Sequence, residues 1–438
     1  MSENINPLEQ LKTERMGIGQ WIIVLICVGI LALDGYDVLS IAFAAPGMTA
    51  EWGLSKAALG FILPLELIGM AVGSIFIGAW TDQHGRRPTM LLGLIVLTIG
   101  MAVAGFSPNV YILGVARVFT GIGIGGLLVT ATATTSDYCN DKNRSLAVVM
   151  VAGGFPLGIY LGATLLAPLL GQYDWRVTFH LGAVLSLIFI PLVYLFVPET
   201  ISFLDRKRPV NSLERIRKTM KRLGHRPPEK LDPQTAQETV KTGVADLFKP
   251  GTARLTCILI FAYFANIATY YYFVKWLPTI VTDLGHTASQ ATKVLGVISL
   301  GGVIGSIVIS VMSRFLPVKW LMFFSLVLSA LGVWMFPYFT DTINEMKLIG
   351  FFTGACILAS ISGFFGLFST SFQSALLGSG TGLVLGVGRG GAVLGPMIPG
   401  LLFTAGLALN NVALIMGAGS FLAGMTILFL KNNQVDGP

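Results

Sequence analysis

An all-α integral-membrane fold, with twelve transmembrane helices in two pseudo-symmetric sets of six, is predicted by three observations on this 438-residue sequence. First, 54 % of its residues are hydrophobic and only 12 % are charged, whereas soluble domains are about one-quarter charged. Mean hydropathy is +0.75. Second, apolar runs of roughly 20 residues or more, long enough to cross a hydrocarbon core of ~30 Å, recur along most of the chain. Third, these runs form two sixes around one polar segment, Pro198 to Pro250. Water is not the main solvent of such a chain, and a soluble enzyme is excluded.

The first apolar run, Ile18 to Ala45, is too long for the apolar part of a signal peptide, and Met1 to Arg15 lacks the short basic start of one. It is read as the first span, 18–45. Breaks at charges, Pro and Gly then place spans at 55–80, 88–106, 109–138, 145–170 and 177–197. The second set is expected at 252–281, 290–313, 318–338, 344–372, 377–406 and 410–430. The resulting division is an N-terminal bundle (1–197), a linker (198–250) and a C-terminal bundle (251–438). The linker carries twelve Lys/Arg against seven Asp/Glu, and the short loops Asp82–Arg87, Asp141–Arg144 and Arg314–Lys319 are basic too. All lie on one side of an up-and-down trace, which the positive-inside rule makes cytoplasmic, together with both termini. This charge is read as topology, not as a nucleic-acid surface. Cys27, Cys139, Cys257 and Cys356 are far apart, without disulfide or zinc spacing. They are expected in the core, and no metal or cofactor is expected.

The halves look duplicated. A gapless shift of 232 residues lays Pro46 on Pro278, Gly69 on Gly301, Gly73 on Gly305, Gly154 on Gly386 and Gly158 on Gly390. Glycines at every fourth position, 154/158/162 and 382/386/390, are expected to let helices approach closely. Gly386 to Gly391 formally satisfies GxGxxG, but no strand precedes it and no acid follows about twenty residues on, which argues against a nucleotide site.

After the second span, Gly78-Ala-Trp-Thr-Asp82-Gln-His-Gly85-Arg86-Arg87 makes a tight basic turn, with Gly85 permitting the bend and Asp82 able to pair or cap. It resembles the GxxxDxxGRR signature of the major facilitator superfamily, where the loop latches the cytoplasmic side. The implied latch comprises Asp82, Gly85, Arg86 and Arg87, with Asp137 and Arg144 at the next cytoplasmic loop. The equivalent second-half loop, Ser313 to Pro317, lacks the acid and the paired arginines.

Asp34-Gly35-Tyr36-Asp37, followed by Pro46, resembles the DGxD signature of the aromatic acid:proton symporter family. So do Arg117 leading into Gly121, Gly123, Gly125 and Gly126, Trp175-Arg176-x-x-Phe179, Pro198-Glu199-Thr200, Trp276-Leu277-Pro278, and Gly388 to Gly391 with Gly395-Pro396. The resemblance covers roughly Leu33 to Leu430. Three departures bear on the substrate: Asp137-Tyr-Cys-Asn140 where Glu-Tyr-x-Pro is expected, Glu66 in the second span, and Lys275 before Trp276.

A charge deep in a bilayer costs at least ~2.5–3.5 kcal/mol, so the few present are informative. Asp34 and Asp37 share a helix face, and two close carboxylates cannot both ionise cheaply, as a proton carrier requires. Arg117 should reach their depth from the opposite side and form a pair that breaks on protonation. Glu66 is a second proton site, a partner for Arg389, or a neutral hydrogen-bonded carboxyl. Arg389 should lie near mid-membrane, its planar fork matched to a carboxylate. Tyr270, Tyr271 and Asn266 of the seventh span, in a run with Tyr263, Tyr272 and Phe273, are expected near substrate. Lys275 is expected to snorkel at the outer end of that span or to draw anions inward, and His180 to be interfacial.

The expected protein is thus a proton-coupled symporter of a small aromatic carboxylate in a bacterial-type inner membrane, working by alternating access. Its partners are an organic anion, protons and the bilayer. Alternatives are a carrier of a non-aromatic organic anion or sugar-like polyol, a drug-efflux antiporter, and a solute sensor, the last lacking its usual large soluble domain.

Overall fold

The computed structural model describes residues 6–230, 247–249, 252–372 and 376–430, and every regular element among them is helical. The first half contains α1 (Pro7–Thr13), α2 (Ile18–Trp52), α3 (Lys56–Ile62), α4 (Leu65–His84), α5 (Arg86–Gly105), α6 (Val110–Tyr138), α7 (Asp141–Leu169) and α8 (Val177–Phe196). Two short helices, α9 (Ile201–Lys207) and α10 (Ser212–Leu223), occupy the start of the polar segment. The second half holds α11 (Ala253–Asp283), α12 (Ala288–Met312), α13 (Val318–Met335), α14 (Ile343–Ser371), α15 (Leu377–Thr404) and α16 (Leu409–Ile427). Among the described residues, twelve spans are long and apolar enough to cross a membrane, with α3 and α4 together forming the second. The fold is the all-helical twelve-span architecture that the composition predicts.

Two boundaries differ from expectation. The first span does not stop at Ala45 but continues through Pro46 to Trp52. Proline removes one helical hydrogen bond, which packing against neighbours can offset. Here Trp175 Nε1 donates to Glu51 Oε2 at 2.7 Å and Arg176 grips both Glu51 oxygens at 2.7 and 2.8 Å, which holds the last turn. The second span is not continuous: Pro64 breaks it between Ile62 and Leu65. In the sixth and seventh spans Pro191 and Pro278, like Pro46 in the first, lie inside unbroken helices.

Contacts gather into two units: Met1–Asp37, Ile68–Gly158 and Phe179–Glu238 in one, Val38–Leu67, Ile159–Thr178 and Thr239–Pro438 in the other, over the described residues. Within the first unit, a Cβ on Gly154 or Gly158 of α7 would strike the carbonyl of Val28 or Ala32 on α2, and one on Gly69 or Gly73 of α4 would strike the carbonyl of Val118 or Ile122 on α6. Within the second, Gly301 and Gly305 of α12 meet the carbonyls of Phe351 and Ala355 on α14 in the same way, while Gly391 and Gly395 of α15 meet those of Phe264 and Ala268 on α11. The same helix pairs therefore pack backbone to backbone in both halves.

This packing corrects the expected repeat register. Gly158 on Ala32 corresponds to Gly391 on Phe264, not to Gly390, so α15 has slipped by one residue against the 232-residue shift. Gly382 and Gly386, expected as packing glycines, have no described neighbour within 4 Å of a Cβ, and Gly390 meets only the Phe264 ring. A one-residue slip turns a helix by about 100°, which carries that stripe off the contact face. The cysteines are also less uniform than expected: Cys27 and Cys139 are buried, Cys356 is half-buried and Cys257 is exposed.

Beside the spans, α1 and the end of α10 share a polar cluster. His225 faces Glu14 Oε2 at 2.8 Å through Nδ1 and Gln20 Oε1 at 2.9 Å through Nε2, while Gln20 Nε2 donates to the Tyr138 carbonyl at 2.6 Å.

Candidate functional site

The first unit places Arg117 against the acidic motif of α2. A Cβ on Gly35 would strike the Phe155 carbonyl, so glycine is what lets α7 close over this stretch and keep Asp34 and Asp37 dry. Arg117 is 0 % exposed; Nη1 donates to Asp37 Oδ1 at 2.7 Å and Nη2 to the Asp37 carbonyl at 2.9 Å. The Phe179 ring lies 5.6 Å from the guanidinium, and the Met101 sulfur 3.4 Å from Nη1. Asp34 is buried one turn away on the same helix. Asp37 holds the cation through both side chain and backbone, and a second carboxylate lies within a turn. Phe179 is reachable from sequence through the Trp-Arg-x-x-Phe motif, whereas Met101 carries no such signal.

In the second unit, Lys275 is 0 % exposed, which corrects its expected snorkelling position. Because α11 runs on through Pro278 to Asp283, Lys275 sits two turns inside the helix end. Nζ donates to Glu66 Oε1 and to the Val38 carbonyl, so the structure gives Glu66 a cation from α11. Nearby, α3 packs on α15 through Gly60 and Gly400, and Lys56 pairs with Asp283. Asn266, expected on substrate, has its amide engaged between helices: Nδ2 donates to Ser360 Oγ at 3.0 Å and Oδ1 accepts from Ser420 Oγ at 2.8 Å. Tyr270 is buried, Tyr271 half-buried, and their rings meet edge to face at 5.0 Å.

Arg389 is half-buried on α15. Gly388, Gly391 and Gly395 occupy the packed side of this helix, and Val387, Leu394, Ile398 and Leu401 form an exposed apolar row. At 100° per residue, Gly382, Gly386 and Arg389 fall on the side of the helix away from both. Arg389 thus stands beside the two glycines that have no described neighbour.

At the loop after α4, the Asp82 side chain lies outside the described residues. Gly85 has φ 99°, and a Cβ there would strike the Glu199 carboxylate. Glu199 accepts from the backbone N–H of Arg86 at 2.9 Å and of Arg87 at 3.3 Å, and so caps α5. Burial raises its pKa above the usual carboxylate value, against the backbone donors that lower it. Arg86 pairs with Asp137 at 3.1 Å, Arg87 donates to the Tyr194 carbonyl at 2.6 Å, and Arg144 pairs with Asp141 at 3.1 Å. The capping role of Glu199 escaped sequence reasoning, although an acid straight after a span end was its visible signal.

The family model described as Major Facilitator Superfamily matches residues 25–376 and 259–437. The chain belongs to this superfamily. It is accordingly a multi-pass membrane transporter and not an enzyme. This major facilitator is 28 % identical over 418 residues to the gallate transporter of Pseudomonas putida, covering 93 % of this chain and 91 % of that one. It is 28 % identical over 420 residues to the 4-hydroxybenzoate transporter PcaK of Pseudomonas aeruginosa, covering 93 % and 92 %. These relatives are aromatic-acid transporters, in agreement with the resemblance carried by the Asp34–Asp37 motif. In fold, the major facilitator is similar to the crystal structure of D-xylose-proton symporter, with TM-score 0.74 at 16 % identity, covering 94 % of this chain and 99 % of that one.

Proposed function

We propose that this transporter is a proton-coupled symporter that imports a small aromatic carboxylate of the benzoate or hydroxybenzoate type by alternating access. The observation that carries the reading is the buried Arg117–Asp37 pair with Asp34 one turn away. An arginine cannot give up its proton, so it holds an ionised acid and loosens from a protonated one. Protonation of this cluster then frees α6 from α2, which links proton uptake to helix movement. Arg389 is the anchor for the substrate carboxylate, on the uncrowded face of α15, and the Tyr270–Tyr271 pair is the aromatic surface for the ring. The turn at Gly85 to Arg87, with Asp82, Asp137 and Arg144, is the latch. The protein lies in a bacterial inner membrane with both termini cytoplasmic, and its halves 1–197 and 251–438 are the moving bundles around the linker 198–250.

The relatives' printed substrates, gallate and 4-hydroxybenzoate, support the cargo class. The test is uptake of radiolabelled 4-hydroxybenzoate and benzoate into proteoliposomes with and without an inward proton gradient. Accumulation only with the gradient, and blocked by an uncoupler, is expected. Equal uptake in both conditions removes proton coupling, and uptake of neither acid removes the cargo class.

A further inference from the structure

The Glu66–Lys275 pair is unused by the mechanism above, yet both side chains are 0 % exposed within spans. Lys275 Nζ bonds Glu66 and the Val38 carbonyl. The pair lies in the same unit as the packing of α3 on α15. A buried ammonium that loses its anion is strongly destabilising, so α4 and α11 part only if water or another carboxylate takes the place of Glu66.

A second observation points to a polar ligand. Thr279 lies four residues after Lys275 on the same helical face, is 1 % exposed, and its Oγ1 has no hydrogen-bond partner among the described residues. Other threonines of α11 bond back one turn: Thr269 to the Ala265 carbonyl at 3.2 Å and Thr282 to the Pro278 carbonyl at 3.1 Å. A buried hydroxyl without a partner carries a desolvation penalty that a carboxylate oxygen would remove.

We propose that Lys275 is a second carboxylate-binding cation on the cargo path, and that Glu66 is a built-in stand-in which fills it while α3 rests on α15. When that contact opens, the cargo carboxylate replaces Glu66 on Lys275, with Thr279 donating to one of its oxygens. The proposal rests on the aromatic-carboxylate reading. It differs from the role given to Arg389 because here the protein supplies its own competitor.

The sign of two substitutions tests it, with 4-hydroxybenzoate as probe and calorimetric titration of the full-length purified protein as readout. E66Q removes the competitor and raises the competent fraction, so affinity should rise on the order of 10-fold. K275Q should lower affinity by a similar factor, and T279V by less. A purely structural pair predicts that both E66Q and K275Q weaken binding, so unchanged or weaker binding by E66Q overturns the proposal. If K275Q does not fold, E66Q/K275Q replaces it: binding weaker than in E66Q supports the proposal, and binding equal to E66Q overturns it. Failure of the wild type to bind the probe is a different result, which sinks the cargo class itself.

Discussion

At the scale of single residues, the interior charges divide by how each is held. Asp37 gives Arg117 both a carboxylate oxygen and a carbonyl. Asp37→Asn keeps the carbonyl and an amide oxygen but cannot be charged or titrated. It should abolish gradient-driven accumulation of 4-hydroxybenzoate while counterflow exchange partly survives; full gradient-driven accumulation in both Asp34→Asn and Asp37→Asn sinks the proton role. Arg389 is tested by geometry instead of charge. Arg389→Lys keeps the cation but loses the fork, and Arg389→Ala loses both, so affinity should fall by about one to two orders of magnitude across the series. Wild type should bind the amide of the same ring poorly; equal binding of acid and amide, by calorimetry, shows that no cation reads the carboxylate. Sequence made these residues visible because charge inside an apolar run is conspicuous. It could not assign partners to Glu66 and Lys275, which lie 209 positions apart, since a span's periodicity does not say which neighbour it faces.

Among the elements, the junction between α4 and α5 is held by a residue from beyond α8. Glu199 caps α5 with two backbone bonds, and Gly85 supplies both the positive φ and the space. Gly85→Ala should therefore cost more than Glu199→Gln, which still accepts hydrogen bonds; the loss of a cap is about 1 kcal/mol. A thermal-unfolding midpoint lower for Glu199→Gln than for Gly85→Ala contradicts this order. The α1–α10 cluster makes a pH prediction. The hydrogen bond from His225 holds the Glu14 carboxyl below its ordinary value of 4.5. The contact's contribution is present above 4.5 and is lost as pH falls through the lower folded value. Protease sensitivity of the segment around α1 should rise on acidification below that point, and Glu14→Gln should be as sensitive at neutral pH; pH-independent cleavage of wild type refutes it. Apolar run length made the twelve spans legible. The cap was not, because its acid and its helix are distant in sequence.

Over the whole molecule, duplication was readable in outline but not in register. Proline and glycine positions marked the repeat, and the slip of α15 emerged only from which carbonyl each glycine touches. Close approach also yields a test of alternating access. Gly60 of α3 lies against the backbone of α15, where a Cβ would sit 3.0 Å from the Gly400 Cα. Gly60→Leu should prop the two helices apart and slow transport at least ~10-fold, as should Gly400→Leu, while the double variant is no slower because both remove one shared contact. Wild-type uptake rates in Gly60→Leu would show that this contact need not form during the cycle. The slip has a further consequence for how such a protein diversifies. Many helical glycines here are locked, because any side chain would meet a neighbour's backbone. Gly382 and Gly386 are not, and they stand next to Arg389. With Arg389 in its proposed role as cargo anchor, each exchange there, from glycine to alanine to valine, would narrow the space beside the arginine without striking a described neighbour, so a lineage would retune the breadth of its cargo in single steps.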